Sequence, residues 1–108
     1  MKTEGRELAM FKSDTGIRDN VMEEIRELAR QYHIEKVILF GSRARGDYRR
    51  VSDIDLAVRG GDIARFSLDV EEETSTLLKF DVVNLDAAVQ PELLAAIKKD
   101  GRVIYEQV

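Results

Sequence analysis

Apolar positions recur along this chain in alternating blocks of helical and strand-like spacing. Val21, Ile25, Leu28 and Tyr32 fall three or four residues apart behind Asp19 and Asn20, which predicts a helix from Ile17 onward with one face turned to a core. Lys36-Val37-Ile38-Leu39-Phe40 follows as a short apolar run with β-branched residues, and it stops at Gly41, the pattern of a buried strand feeding a turn. Ser42 is a candidate cap for a short helix through Arg43-Ala44-Arg45. Asp53-Ile54-Asp55-Leu56-Ala57-Val58 alternates as a strand does, with Ile54, Leu56 and Val58 inward and both aspartates on the opposite face. Gly60-Gly61 breaks that strand, and Ile63, Phe66, Val70 and Leu77 then mark a helix with a glutamate-rich outer side. A third strand is expected near Phe80 to Leu85. Pro91 and Gly101 bracket a last helix containing Leu93, Leu94 and Ile97, and Arg102-Val103-Ile104-Tyr105 reads as a closing strand. Met1 to Gly16 shows no sustained pattern and is expected to be an N-terminal leader, in which Leu8 and Phe11 could line a short helix. Residues 17–108 then form a single domain.

The chemistry concentrates where these elements meet. Gly41 leaves no side chain between its backbone and an approaching anion, and the N–H groups of the turn after it would face that anion. Ten residues separate Ser42 from Asp53-Ile54-Asp55. Two carboxylates two apart on one strand face lie about 7 Å from each other at the backbone, and converging at that spacing they can share two metal ions about 3.5–4 Å apart. A further acidic ligand is expected for such a site. Asp81 supplies it, since a lone carboxylate in the apolar run Phe80-Asp81-Val82-Val83 is expensive to bury without a partner. Asp69, Glu71, Glu72 and Glu73 read more simply as the solvated face of a helix, and Asp86 is the fallback. The planar fork of Arg43 suits phosphate oxygens, whereas Arg45 suits a partner or a surface carboxylate. Arg49 and Arg50 read as a solvated loop, and His33 as a structural or surface residue. Tyr48 could stack on a base or be an exposed turn aromatic.

Gly41-Ser42, the ten-residue spacer, Asp53-Ile54-Asp55 and a later strand aspartate resemble the DNA-polymerase-β-like nucleotidyltransferase superfamily. The wording Gly41-Ser42-Arg43-Ala44-Arg45-Gly46, then Ser52-Asp53-Ile54-Asp55-Leu56, looks like its minimal branch, the MNT or MntA proteins, over about residues 20 to 106. The resemblance implies an α/β (α+β) fold, a small mixed β-sheet flanked by helices. It also implies ATP as donor with Mg2+, and often a HEPN-domain partner whose tyrosine receives AMP, the transferase acting as antitoxin. On this reading Asp53, Asp55 and Asp81 are the catalytic and metal-holding residues, and Gly41, Ser42 and Arg43 bind the nucleotide. Asp53 and Asp55 would hold both ions, while Asp81 would complete the site of one and help lower the pKa of the acceptor hydroxyl. Two other readings remain: a catalytically silent module that masks a HEPN protein by contact, and a small-molecule nucleotidyltransferase of the antibiotic-modifying sort.

Composition narrows the partners. With 108 residues there is room for one small core, so an acceptor-recognition domain would have to come from another chain. Seventeen Lys plus Arg against 21 Asp plus Glu give a net charge of −4, which disfavours nucleic acid as the main partner, although Arg43, Arg45, Arg49 and Arg50 form a local cationic patch. The chain has no cysteine, which removes disulfides and thiolate metal sites and fits cytoplasmic residence. No stretch approaches the roughly 20 apolar residues of a membrane span.

Overall fold

The computed structural model describes residues 15–108. Among the described residues, four strands and four helices follow in the order α1 (Asp19–Gln31), β1 (Lys36–Phe40), α2 (Ser42–Arg45), β2 (Ile54–Arg59), α3 (Ile63–Glu73), β3 (Phe80–Asn84), α4 (Pro91–Asp100) and β4 (Arg102–Glu106). The sheet order is β3-β2-β1-β4. Strand β1 runs antiparallel to both β2 and β4, whereas β2 and β3 are parallel, a pairing that needs the crossover α3 supplies. This is the expected mixed sheet flanked by helices.

The two sheet faces have different fates. Val37, Leu39, Ile54, Leu56 and Val58 point to one face and are fully buried beneath Val21, Ile25 and Ala29 of α1 and Ile63, Phe66 and Val70 of α3. Each such side chain contributes about 1.5–3 kcal/mol on leaving water, so this layer is the stability of the domain. On the other face α4 covers only part of the sheet, with Ile97 packed on Phe40 and Ala57 and with Val83, Leu85 and Leu93 beside them. Gly101 is the C-cap of α4, where a Cβ would meet the Ile97 carbonyl and Ile38. Asp55 precedes Ala57 by two positions and so lies on the same face, near the start of the strand.

Three boundaries depart from the sequence reading. Gly41, not Ser42, is the N-cap of α2; Ser42 is its first residue. Helix α3 ends at Glu73 because Thr74 Oγ1 turns back to the Val70 carbonyl and Ser75 bonds Glu24 through both its N–H and its hydroxyl, so Leu77 lies outside the helix on the surface. Most of the expected leader lies outside the described residues, but its end does not behave as one: Thr15 is buried and Gly16 packs against Tyr48 and Arg43.

Candidate active site

Strand pairing assembles the acidic cluster. Asp55 is the register partner of Asp81 on β3 and of Phe40 on β1, so one residue of β2 stands between the third aspartate and the strand that ends in Gly41. Paired residues of neighbouring strands lie about 4.8 Å apart with side chains on a common face, which brings the Asp55 and Asp81 carboxylates together. Asp53 sits one step outside β2 and is exposed, as is Asp81, while Asp55 is half-buried. Gly41 turns the chain at φ 77°, in the left-handed region, and brings its backbone directly against the Asp55 carboxylate.

Crowding shows in the titration of the central group. The Asp55 carboxyl is pushed up to about 6, first by burial and then by the negative charges of Asp81 and Asp53; Arg45 and Arg43 offset part of this. A cation placed among these oxygens would relieve both causes.

Arg43 has a different role from the one its sequence position suggests. The residue is buried, 1% exposed. Nε donates to the Ser52 carbonyl at 3.0 Å, Nη1 to Thr15 at 2.8 Å, and Nη2 to Arg50 at 3.2 Å and Arg49 at 3.5 Å. The Tyr48 ring stacks beneath it at 4.8 Å, which makes Tyr48 a packed partner and not an exposed aromatic. Burial lowers the Arg43 pKa, and the charges of Asp53 and Asp55 pull it back up. Arg43 is therefore committed to backbone carbonyls. It clamps the loop that delivers Asp53.

Among the other candidates, Arg45 pairs with Asp47 at 3.2 Å and Asp100 at 3.5 Å. Asp86 accepts a hydrogen bond from the Gly60 N–H at 3.0 Å, at the opposite end of β2 from Asp55, so it caps a turn remote from the cluster. Asp69 accepts from the Tyr32 hydroxyl, and Glu71 from the Phe80 N–H. Arg102, which the sequence reading passed over, reaches from β4 to the Ala44 carbonyl at 2.8 and 3.1 Å and ties α2 to the sheet. Nothing local marks Arg102; its partner is 58 residues away. Ser52 entered the sequence reading only as part of the motif, with no role of its own; its hydroxyl accepts the Arg49 N–H at 2.8 Å and shapes the same loop.

Among the described residues, no group of three or more His, Cys, Asp or Glu side chains encloses a metal site by itself. The donor set nevertheless suits Mg2+, which binds hard oxygens through one or two carboxylates and takes its remaining ligands from water and substrate phosphates. After burial, the charges of Asp81 and Asp53 raise the Asp55 carboxyl, and a cation beside it would offset those charges.

The profile of the family described as "Polymerase beta, Nucleotidyltransferase" matches residues 23–108. The chain belongs to this family. A relative from Methanocaldococcus jannaschii, named "Putative protein adenylyltransferase MJ0604", is 37% identical over 97 residues, covering 79% of this chain and 94% of the relative. A crystal structure of a toxin-antitoxin with AMP-PNP matches with a TM-score of 0.66 and 26% identity over 80% of this chain and 73% of its own. A mutant of the MntA-HpeT toxin-antitoxin matches with a TM-score of 0.62 and 25% identity over 79% and 72%. This nucleotidyltransferase thus has the mixed sheet and flanking helices of its family, and the chain is an enzyme of the nucleotidyl-transferring class. Among the described residues no helix is long and apolar enough to cross a membrane.

Proposed function

We propose that this nucleotidyltransferase moves AMP from ATP, with Mg2+, onto a hydroxyl of a protein partner, and that the partner is a HEPN-type toxin neutralised by modification of a tyrosine. The observation that carries the reading is the β-sheet register that aligns Asp55 with Asp81 while Phe40 delivers Gly41 to the same carboxylate. The likeness to a relative named for protein adenylylation and to a toxin-antitoxin structure with AMP-PNP supports the choice of nucleotide and of partner class.

The roles of the residues follow from their positions. Gly41 and Ser42 receive the β- and γ-phosphates, because the first N–H groups of a helix have no intrahelical partner and no side chain at position 41 obstructs them. Asp53 and Asp55 hold the metal ions, with Asp81 contributing on the acceptor side. When bound, Mg2+ supplies charge neutralisation of the phosphates and a lowered pKa for the attacking hydroxyl. The acceptor oxygen forms a bond to the α-phosphorus, the bond from that phosphorus to pyrophosphate breaks, and the hydroxyl proton leaves to solvent. Arg43 keeps the Asp53 loop in place and stays out of the phosphate contacts.

The test is incubation of the purified chain with labelled ATP, Mg2+ and a co-purified HEPN partner, followed by mass spectrometry of both chains. AMP on a partner tyrosine, absent when Asp53 and Asp55 are both changed to asparagine, is the expected result. Complex formation without modification would instead identify a masking module, and AMP transfer to free small molecules without a complex would identify the antibiotic-modifying type.

A further inference from the structure

A groove with a volume of about 740 Å3 opens beside Asp53, between the start of α1, the loop entering β2 and the segment entering β3. Gly41 and Ser42 do not line it, and β3 lies on the far side of β2 from the strand that carries them. The groove therefore lies apart from the Gly41-Ser42 turn and meets the acidic cluster only at Asp53. Its charge is the reverse of the whole protein: Arg18, Arg50 and Lys79 line it against a single anion, Asp53, in a chain of net charge −4. Among the described residues none of the ion pairs engages these three cations. Val51 and Leu77, 78% and 103% exposed, stand at the same groove.

We infer that this groove binds an acidic polypeptide segment of the acceptor protein, with an apolar side chain seated against Val51 and Leu77. Carboxylates of the segment meet Arg18, Arg50 and Lys79, and its hydroxyl-bearing residue is carried toward Asp53 and its neighbours. Large exposed apolar side chains placed together with cations that form no ion pair among the described residues fit an interface better than a solvated surface. The purpose of such binding rests on the transferase reading above, but the binding itself does not.

Two fluorescein-labelled peptides decide the matter, one with tyrosine flanked by leucine and glutamates, the other with lysines in place of the glutamates. Fluorescence polarisation should show the acidic peptide binding at least about tenfold more tightly, a difference of about 1.4 kcal/mol. The double variant Arg50→Glu/Lys79→Glu should abolish that preference, Leu77→Ser should weaken both peptides, and binding of a fluorescent ATP analogue should stay within about twofold. Circular dichroism checks that the variants fold. Equal or absent binding of the two peptides up to millimolar concentration overturns the inference. So does a charge reversal that weakens the ATP analogue as much as the peptide, because the groove then belongs to the donor. Preferential acidic binding by a chain that transfers no AMP in the mass-spectrometry assay above would leave the groove assignment standing and count against the transferase reading alone.

Discussion

Gly41 lies hard against the carboxylate of Asp55: a Cβ at position 41 would overlap Asp55 Oδ2 and come within 3.1 Å of its Cγ. The contact joins the two halves of the motif in space, one at the end of β1 and the other early in β2, through the register that pairs Phe40 with Asp55. Gly41→Ala adds a clash to a backbone at φ 77° that side chains resist. The expected result is loss of more than about 1 kcal/mol of stability in urea titration, with AMP transfer reduced further than folding accounts for.

Asp55 sets the pH response. Its folded pKa of about 6 lies above the ordinary value of 3.8, so between these values the folded state holds more protons than the unfolded one. For this group the stability is greatest below about pH 4, falls as pH rises toward 6, and stays lower above it. Asp55→Asn, which removes the charge but keeps the shape, should therefore raise Tm at pH 7.5 by several degrees, about 4–8 °C per kcal/mol, while abolishing transfer. Melting curves at pH 4 and 7.5 without Mg2+ check the sign, because the gain should vanish at the lower pH. Binding of Mg2+ with ATP should weaken below pH 6, where protonation competes.

In the proposed roles Asp81 serves the acceptor-side ion while Asp53 and Asp55 hold the triphosphate-side ion, so their asparagine variants should separate. Asp81→Asn is expected to lower transfer by more than about 100-fold with ATP affinity nearly unchanged, and the Asp53→Asn/Asp55→Asn pair to lose both. Calorimetry beside a transfer assay reads the two quantities. Equal losses in Asp81→Asn would contradict the division of labour.

Arg43 should behave as a structural clamp. Arg43→Lys keeps the charge but cannot reach four carbonyls from one point, so it should cost about 2–4 kcal/mol by urea titration and increase hydrogen exchange in residues 46–53. If Arg43→Lys instead leaves stability intact and raises only the KM for ATP, Arg43 touches phosphate after all.

Asp86→Ala provides the contrast. It removes the bond to the Gly60 N–H at 3.0 Å, far along the sheet from Asp55. A loss of about 1 kcal/mol in stability with unaltered transfer is expected.

Sequence periodicity by itself determined the helices and strands, because burial selects apolar residues every three or four positions in a helix and every second position in a strand. The regular faces of α1, β1 and β2 were therefore legible to within a residue or two, and the alternation of Asp53 to Val58 already put both aspartates outside the core. The family resemblance rested on the same local features: a strand stopped by glycine, a spacer and two aspartates. Side-chain contacts between distant segments left no such trace. The stop of α3 before Leu77 depends on Ser75 meeting Glu24 across 51 residues, and the role of Arg43 depends on carbonyls from Thr15 and residues 49–52 converging on it. A sequence shows that Arg43 carries a forked cation but not whether carbonyl or phosphate oxygens surround it. The choice between Asp81 and Asp86 was likewise decided by strand register, since parallel pairing of β2 with β3 sets Asp81 beside Asp55 and carries Asp86 to the far end of the sheet. Hydrogen-bond register is a property of two strands together, and neither strand contains it alone.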